Sequence, residues 1–398
     1  MTRVLALLFS LLGLASLSAQ DLVSVTFKAF PPEYELFSRG ERLTYSPRGD
    51  GLRTYQLPPG ALRVNLTAPG SRPLNLNLDV KQGMAAVQAK LEPRLGPLTL
   101  VGEAPTGKAP RSVSFAPDGK SLFVALLGEP GVDVYEVPGL KKLKRLAAPS
   151  GTQSGFTDVL TLGNELWAVQ NDGRIHVFDA TTLAFKDSKD LTGGGNAYLT
   201  DLGGGRVAMA NWDNGQMVSV DVSTRKPLAT LTTTASLRGF AFGQGNGYAS
   251  YFDRGQIAVI DGSTWKLKAS WSAGKAPRPV AALGKLLFVG DMGSAQVLIL
   301  DAATGKVVGA QPVPSNPHEM VASKDLVAVA SRGRNNASDY QLPGPEYGKV
   351  TLFDAKGTVV ASVWGRNQPT GLALSADGRY LAFTDYLDNN LELYRINR

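Results

Sequence analysis

The chain of 398 residues contains no cysteine and only two histidines. Without cysteine there is no disulfide framework, no thiolate metal site and no lipid-modified N-terminal cysteine. The same absence removes the motif that attaches a c-type haem, and two histidines are too few for a multi-histidine copper site. The sequence therefore predicts a protein without a metal or cofactor. Its stability must come from burial of its hydrophobic residues, which make up 43% of the chain.

Long apolar runs are also absent, with one exception at the N-terminus. Residues 4–17 form an apolar stretch after Arg3 and before the small residues Ser18 and Ala19. This pattern is typical of a secretory signal, and it is shorter than the ~20 residues that span a bilayer. We expect residues 1–19 to be removed and the mature chain to be exported to the periplasm, the extracellular space or the cell surface, with no stable membrane span. Loss of Arg3 lowers the formal net charge from +7 to +6, a mild bias toward anionic partners.

A repeat of about forty residues runs through residues 111–398. Seven times the chain spells three apolar runs separated by polar or glycine-containing turns, and the third run usually ends in an acidic residue. The residues that mark this position are separated by 43, 42, 40, 40, 53 and 40 residues: Glu136, Asp179, Asp221, Asp261, Asp301, Asp354 and Tyr394. Several short strands per forty-residue unit predict a β-propeller. The 44 glycines argue against an α-solenoid of similar period.

The seventh repeat stops before its outer strand. Only four residues follow Tyr394, whereas a spare strand at residues 97–101 precedes the first repeat. Pairing of the two would close the ring and remove a free strand edge. We therefore predict an all-β protein in which residues 95–398 form a seven-bladed β-propeller, with strand 97–101 closing the last blade.

Residues 20–94 do not share the repeat and predict a small, β-sandwich-like all-β domain. Short alternating strands are separated by Pro31-Pro32, Pro58-Pro59-Gly60 and Pro69-Gly70. The order V-S-V-T-F at 23–27, the proline pair and L-P-P-G-A-L-R-V-N-L-T-A-P-G-S at 57–71 resemble the PEGA-type domains of bacterial surface proteins. The tetrapeptide that names this family is absent, and Pro-Glu-Tyr-Glu lies near its place. The resemblance implies a spacer or an envelope-attachment module.

The repeats themselves resemble a known bacterial family. The phrases R-S-V-S-F-A-P-D-G-K-S-L-F-V-A at 111–125 and P-T-G-L-A-L-S-A-D-G-R-Y-L-A-F-T-D at 369–385 are similar to YVTN-type, YncE-like seven-bladed propellers. The similarity spans the whole ring, although the Y-V-T-N tetrapeptide is degenerate. It implies an exported binding propeller and no particular reaction, because propellers carry unrelated functions.

Equivalent polar residues recur at the start of the first apolar run of each repeat. In chain order they are Arg111, Thr157, Asn196, Arg238, Arg278, His318 and Thr370. Inner strands of a propeller line the central channel, and period-two alternation gives these side chains one orientation. They predict a cationic ring at the channel mouth, suited to carboxylate or phosphate. The alternative is that strand-entry positions are exposed and accept any polar residue.

The turn after each second strand should emerge on the same face. Its aligned residues include Asn171, Trp212, Phe252, Met292, Arg332 and Tyr386. Exposed aromatic rings beside cations would suit a sugar, a nucleobase or a peptide, although rings packed between blades are an equal alternative. The sixth repeat carries its extra residues in this turn, where Arg332, Arg334, Asn335, Asn336 and Asp339 are expected to cap the ring.

Two classes of function remain open from the sequence. The first is a non-enzymatic binding or scaffold propeller that engages an anionic ligand, a peptide or a cell-envelope glycan on the loop-rich face, with nucleic acid as a further candidate. The second is a propeller-type hydrolase or lactonase, which would need a carboxylate cluster with a metal or a histidine-assisted nucleophile. The aligned ring contains one histidine and no acid, and alternation predicts that Glu319 points away from it, so no catalytic or metal-binding residue is assigned.

Overall fold

The computed structural model of the chain describes residues 22–48, 52–68, 71–92, 96–147 and 154–397. The chain divides into two compact units, Met1–Leu91 and Glu92–Arg398. The predicted signal at 1–19 lies outside the described residues. None of the helices in the described part is long and apolar enough to cross a membrane.

The described residues of the N-terminal unit form two four-stranded sheets. In chain order its strands are Val23–Phe30, Glu35–Ser38, Glu41–Arg42, Ser46–Arg48, Leu52–Leu57, Gly60–Thr67, Leu74–Val80 and Val87–Lys90. The first, fourth, fifth and eighth form one sheet, and the other four form the second. Alternating apolar side chains of both sheets share one core, in which Phe27, Tyr34, Tyr55 and Leu66 are fully buried.

The second unit is a seven-bladed β-propeller, as the repeat predicts. Each blade is a four-stranded antiparallel sheet whose strands we call inner, second, third and outer. The inner strands are Pro110–Phe115, Phe156–Leu162, Ala197–Gly203, Leu237–Gly243, Pro277–Leu283, Pro317–Ser323 and Pro369–Leu374. The second strands are Ser121–Leu126, Glu165–Gln170, Arg206–Asn211, Asn246–Tyr251, Leu286–Asp291, Leu326–Ser331 and Tyr380–Asp385. The third strands are Val132–Glu136, Arg174–Asp179, Gln216–Asp221, Gln256–Asp261, Gln296–Asp301, Lys349–Asp354 and Asn390–Ile396.

The outer strands complete the blades and close the ring. In blade order they are Lys142–Leu146, Phe185–Asp190, Lys226–Thr232, Leu267–Ser272, Val307–Pro312, Val359–Trp364 and Leu98–Pro105. The seventh blade thus takes its outer strand from the chain segment that precedes the first blade, with Asn390 opposite Pro105 and Ile396 opposite Leu98. Each inner strand also contacts its neighbours, and the first contacts the last. Within the described ranges the only helix is one 3₁₀ turn, Phe252–Arg254.

The acidic residue that marks the repeat stabilises the turn between the third and outer strands. Asp221 Oδ1 accepts a hydrogen bond from the Thr224 backbone N–H at 2.7 Å, and Asp261 accepts the equivalent bond from Thr264 at 2.8 Å. Bonds of this kind favour the ionised carboxylate and lower the pKa of both aspartates. The repeated aspartate is therefore a turn residue, which explains why it recurs at nearly constant spacing.

Candidate ligand-binding site in the central channel

One backbone hydrogen bond identifies equivalent positions at the entry of every inner strand. In each blade the residue after the second strand donates its N–H to the carbonyl of the residue just before the inner strand. We call the residue two positions after that carbonyl the entry residue. This bond joins Trp212 to Asn196, Arg332 to Asn316 and Tyr386 to Gln368, all at 3.0 Å. Counting from it, the entry residues of the seven blades are Arg111, Thr157, Tyr198, Arg238, Arg278, His318 and Thr370.

The third blade corrects the sequence alignment. Its entry residue is Tyr198, and Asn196 lies two residues earlier, where its side-chain amide donates to Asp213 at 2.8 Å. In the other six blades the pairing of inner and second strands shifts at the entry residue, which indicates a β-bulge. The third blade is paired continuously there, with Ala197 opposite Asn211. Because the third blade lacks the extra residue of the β-bulge, counting along the sequence selects Asn196 instead of Tyr198.

The structure brings four arginines together around a buried histidine. Arg278 Nη2 donates to His318 Nε2 at 2.6 Å, so the imidazole accepts through this nitrogen and is neutral. Burial lowers the pKa of His318 well below its ordinary value, and the charges of Arg278, Arg332, Arg111 and Arg238 lower it further. Arg332 is affected in the same way, because burial and the charges of Arg111 and Arg278 lower its pKa to about 9. These side chains therefore form one cationic layer, which we call the arginine layer.

Aromatic rings pack against two members of the arginine layer. The guanidinium carbon of Arg111 is 5.8 Å from the centre of the Trp212 ring, and Arg111 Nη2 donates to Tyr198 Oη at 3.3 Å. The guanidinium carbon of Arg332 is 5.5 Å from the centre of the Tyr386 ring. Two of the three predicted rim aromatics are thus placed beside cations, where cation–π attraction holds both partners.

Phe252, the third predicted rim aromatic, and Thr370 have contacts of different kinds. Phe252 is partly buried and its backbone N–H donates to the Ser236 carbonyl at 2.9 Å. Thr370 is fully buried, and its Oγ1 accepts a hydrogen bond from Arg332 Nε at 3.2 Å. The threonine therefore orients a member of the arginine layer.

The predicted loop residues of the sixth blade have other roles. Arg334 forms an ion pair with Glu346 at 3.0 Å, and Asn336 Nδ2 donates to the Pro343 carbonyl at the same distance. Both contacts lie inside the loop, and Asn335 is exposed. Asp339 Oδ1 accepts from the Gln341 backbone N–H at 2.8 Å, also inside the loop. Of the five residues expected to cap the ring, the structure brings only Arg332 into the arginine layer.

Two carboxylates that the sequence did not place at the site border the same channel. Glu319 was expected to point to the opposite face, but its Oε2 lies 3.8 Å from Arg111 Nη1. Burial raises the pKa of Glu319 to about 7, and the nearby charge of Asp158 contributes. The physical reason is again the β-bulge, since two consecutive residues oppose one partner and strict alternation fails.

Asp158 occupies the equivalent position after the entry residue of the second blade. Its carboxylate accepts hydrogen bonds from Ser112 Oγ at 2.6 Å and from the Leu199 backbone N–H at 2.7 Å. Burial still raises its pKa. A signal in the sequence was a carboxylate directly after the entry residue, in a strand without any other Asp, Glu, Lys or Arg. The two strands are F-T-D-V-L-T-L at Phe156–Leu162 and P-H-E-M-V-A-S at Pro317–Ser323.

A cavity of about 640 Å³ extends along the channel from this layer. Its lining includes Arg238, His318 and Glu319 at one end and the turn residues Pro117 and Ala376 at the other. These turns join inner and second strands and lie on the face opposite the channel entry. The entry side chains were expected at an open mouth, yet Arg111 is only 4% exposed and His318 only 3%. Arg111 and His318 thus lie inside the channel, and Arg238, Arg278 and Arg332 are partly buried. The cavity leads to Arg238 and His318 from the other face.

The remaining acidic turn residues are engaged by the backbone. Asp213 Oδ2 accepts from the Asn196 N–H at 2.7 Å, and Asp291 Oδ1 accepts from the Ala276 N–H at 2.9 Å. In the part of the chain that the structure describes, no three His, Asp or Glu side chains are grouped so that they could hold a metal ion.

The comparisons with known proteins support the fold and give one relative. No family model matches the chain. The chain is 29% identical over 316 residues to Antigen Lp49 of Leptospira interrogans, an alignment that covers 73% of this chain and 68% of that protein. It also resembles a chain in the crystal structure of the mitotic checkpoint complex, with a TM-score of 0.63 over 82% of this chain and 99% of that chain. At 17% identity this second similarity supports the WD40-like β-propeller fold alone.

Proposed function

We propose that this chain is an exported, non-enzymatic binding protein whose propeller holds an anionic group in the central channel. The observation that carries the proposal is the convergence of four arginines around one buried neutral histidine. Buried like charges raise the energy of the folded state, and an anion placed among them offsets that cost. Guanidinium groups also supply paired donors that match carboxylate and phosphate oxygens.

The carboxylates of Asp158 and Glu319 neutralise the arginine layer only in part, which supports the proposal of an anion site. Asp158 accepts hydrogen bonds from neutral donors, and the raised pKa of Glu319 means that its carboxyl is partly protonated at neutral pH. Arg278 Nε and His318 Nδ1 are buried without a hydrogen-bond partner among the described residues. Unpartnered buried donors of this kind are expected at a site that receives a ligand.

Export is supported by the predicted signal at 1–19 and by the similarity to a protein named as an antigen. The partner classes that remain open are an anionic small molecule, an acidic peptide and a cell-envelope glycan, with nucleic acid as a further candidate. The last would show a steep loss of affinity with added salt, because each neutralised phosphate releases counterions.

A binding screen of the mature protein tests the proposal. The probes are inorganic phosphate, acetate, acidic peptidoglycan fragments and single-stranded DNA. Replacing Arg238 by glutamine removes a charge-assisted hydrogen bond of ~1.5–3 kcal/mol, so we expect affinity for the bound anion to fall roughly ten- to hundredfold. Arg395→Gln removes the same charge from an exposed position and should change nothing. Failure of every anion to bind, or equal affinity of Arg238→Gln and wild type, would contradict the proposal that the channel binds an anion.

A second candidate is a propeller-type hydrolase or lactonase. It is favoured by Glu319, because a carboxyl group with a pKa of about 7 in a cavity can both give and take a proton near neutral pH. Glu319→Gln separates the two functions. A binding protein still binds anions in this variant, because the glutamine amide can also donate a hydrogen bond, whereas a hydrolase would lose turnover of ester and lactone substrates and still bind them.

A further inference from the structure

The channel cavity has two zones of different chemistry. The upper zone contains Arg238, His318, Glu319 and Asp158. Below it, five blades each contribute a partly buried apolar side chain to the wall: Leu160, Phe242, Ala282, Val321 and Leu374. All the lining residues are described by the structure, and outside the upper zone the only charged one is Asp201, an exposed residue of the third inner strand. Apart from hydroxyl groups the wall of the lower zone is thus apolar, and we call this zone, which leads to the charged upper zone, the apolar tube.

The hydroxyl groups of the lower zone are already hydrogen-bonded within the wall. Ser114 Oγ lies 3.2 Å from Thr161 Oγ1. Thr200 Oγ1 donates to the Phe240 carbonyl at 3.1 Å, and Ser323 Oγ donates to a carbonyl of the next blade at 3.2 Å. A sugar or peptide buried here would need a partner for each polar group, and three of these four hydroxyl protons are already used within the wall. The wall thus favours a ligand whose body is hydrocarbon.

The upper zone is suited to one anionic head group. Arg238 borders the cavity and offers guanidinium donors, and the other three arginines add positive potential behind it. The carboxyl of Glu319, with its pKa of about 7, can donate a hydrogen bond to an anionic oxygen while protonated. A carboxylate therefore finds donors from both side chains at the end of the apolar tube.

We infer that the ligand is a single-chain aliphatic carboxylate, with its head group in the upper zone and its chain along the lower zone. This inference rests on the proposed function, since it assigns a chemical class to the anion. The cavity volume of about 640 Å³ is in the ordinary range for small-molecule sites. Burial of the ligand's aliphatic chain supplies affinity that a single ion pair near water does not.

Calorimetric titration of the full mature chain with acetate, butyrate, octanoate and uncharged octanol tests the inference. Each buried methylene should increase affinity about fourfold, so octanoate should bind on the order of a hundredfold more tightly than butyrate. Val321→Thr, which places a hydroxyl in the tube at nearly constant volume, should weaken octanoate roughly tenfold and leave acetate unchanged. Val308→Thr makes the same replacement on an exposed outer strand and is the control. Leu374→Asn is a second variant should Val321→Thr fold poorly.

The outcomes distinguish this inference from the proposed function. Equal affinity for acetate and octanoate, with both weakened by Arg238→Gln, would overturn the inference and keep the anion site. Tight binding of octanol, unaffected by Arg238→Gln, would show an apolar tube without an anion site and would overturn both. A chain-length dependence that is lost in Val321→Thr and kept in Val308→Thr is the expected result.

Discussion

Replacing Glu319 by glutamine should make the protein more stable at alkaline pH and leave it nearly unchanged in acid. Folding raises the pKa of this carboxyl from 4.5 to about 7, because the ionised form loses water and lies near Asp158. The folded state therefore binds the proton more tightly than the unfolded state does. The stability linked to that proton is fully present below pH 4.5 and is lost as the pH rises through about 7.

The magnitude follows from the size of the pKa change. At about 1.4 kcal/mol per pKa unit, ionisation of Glu319 costs at most about 3 kcal/mol at pH 8 and above. The side chain retains 27% exposure, so water screens part of this cost and about 2–3 kcal/mol is expected. Glutamine has nearly the same shape and does not titrate, and the variant should avoid this loss.

The assay is urea unfolding of the full chain between pH 4 and pH 9. The difference in unfolding free energy between Glu319→Gln and wild type should be small at pH 4 and grow through pH 7. Glu136→Gln removes an exposed carboxylate at the end of a third strand and should follow the wild-type curve. A difference that is constant over the whole pH range would refute the reasoning, because Glu319 would then titrate alike in both states.

Three further predictions concern the ring, its long loop and the arginine layer. Deleting the closing strand 98–105 should lower the melting temperature of the propeller far more than deleting 22–92, because it exposes a strand edge and part of a core; equal melting temperatures would contradict ring closure. Replacing 335–345 by Gly-Ser while keeping the buried Tyr347 should change the unfolding free energy by less than about 1 kcal/mol, since closure entropy depends weakly on loop length; loss of folding would make the loop structural. Arg278→Gln should change the unfolding free energy by no more than about 1 kcal/mol, because loss of the hydrogen bond to His318 is offset by relief of repulsion from Arg111 and Arg238. A larger loss on urea unfolding would show that the arginine layer stabilises the fold.

Much of the fold follows from period and turn chemistry. The acidic turn residue recurs because the same backbone N–H groups need an acceptor in successive blades, as at Asp221 and Asp261. The closing strand was expected because the seventh repeat lacks an outer strand, and the structure pairs Leu98–Pro105 there. These signals are local, so a single sequence carries them.

The site was harder to predict because it depends on one-residue irregularities. A β-bulge turns two consecutive residues toward the channel, and alternation alone assigned Glu319 to the wrong face. The absence of that bulge in the third blade moved the entry position from Asn196 to Tyr198. Burial of Arg111 and His318 was also missed, since exposure of a strand end depends on how the neighbouring blades converge. The arginines themselves were found because residue type and phase repeat together.

The most direct test of the central claim is the position of a bound anion in crystals of the full mature chain soaked in bromide. We expect a strong anomalous peak inside the channel, within hydrogen-bonding distance of the guanidinium groups of Arg238 and Arg278, and a much weaker peak there in crystals of Arg238→Gln. Bromide found only beside exposed lysines and arginines, with none in the channel, would contradict the claim that this propeller is built to hold an anion at its centre.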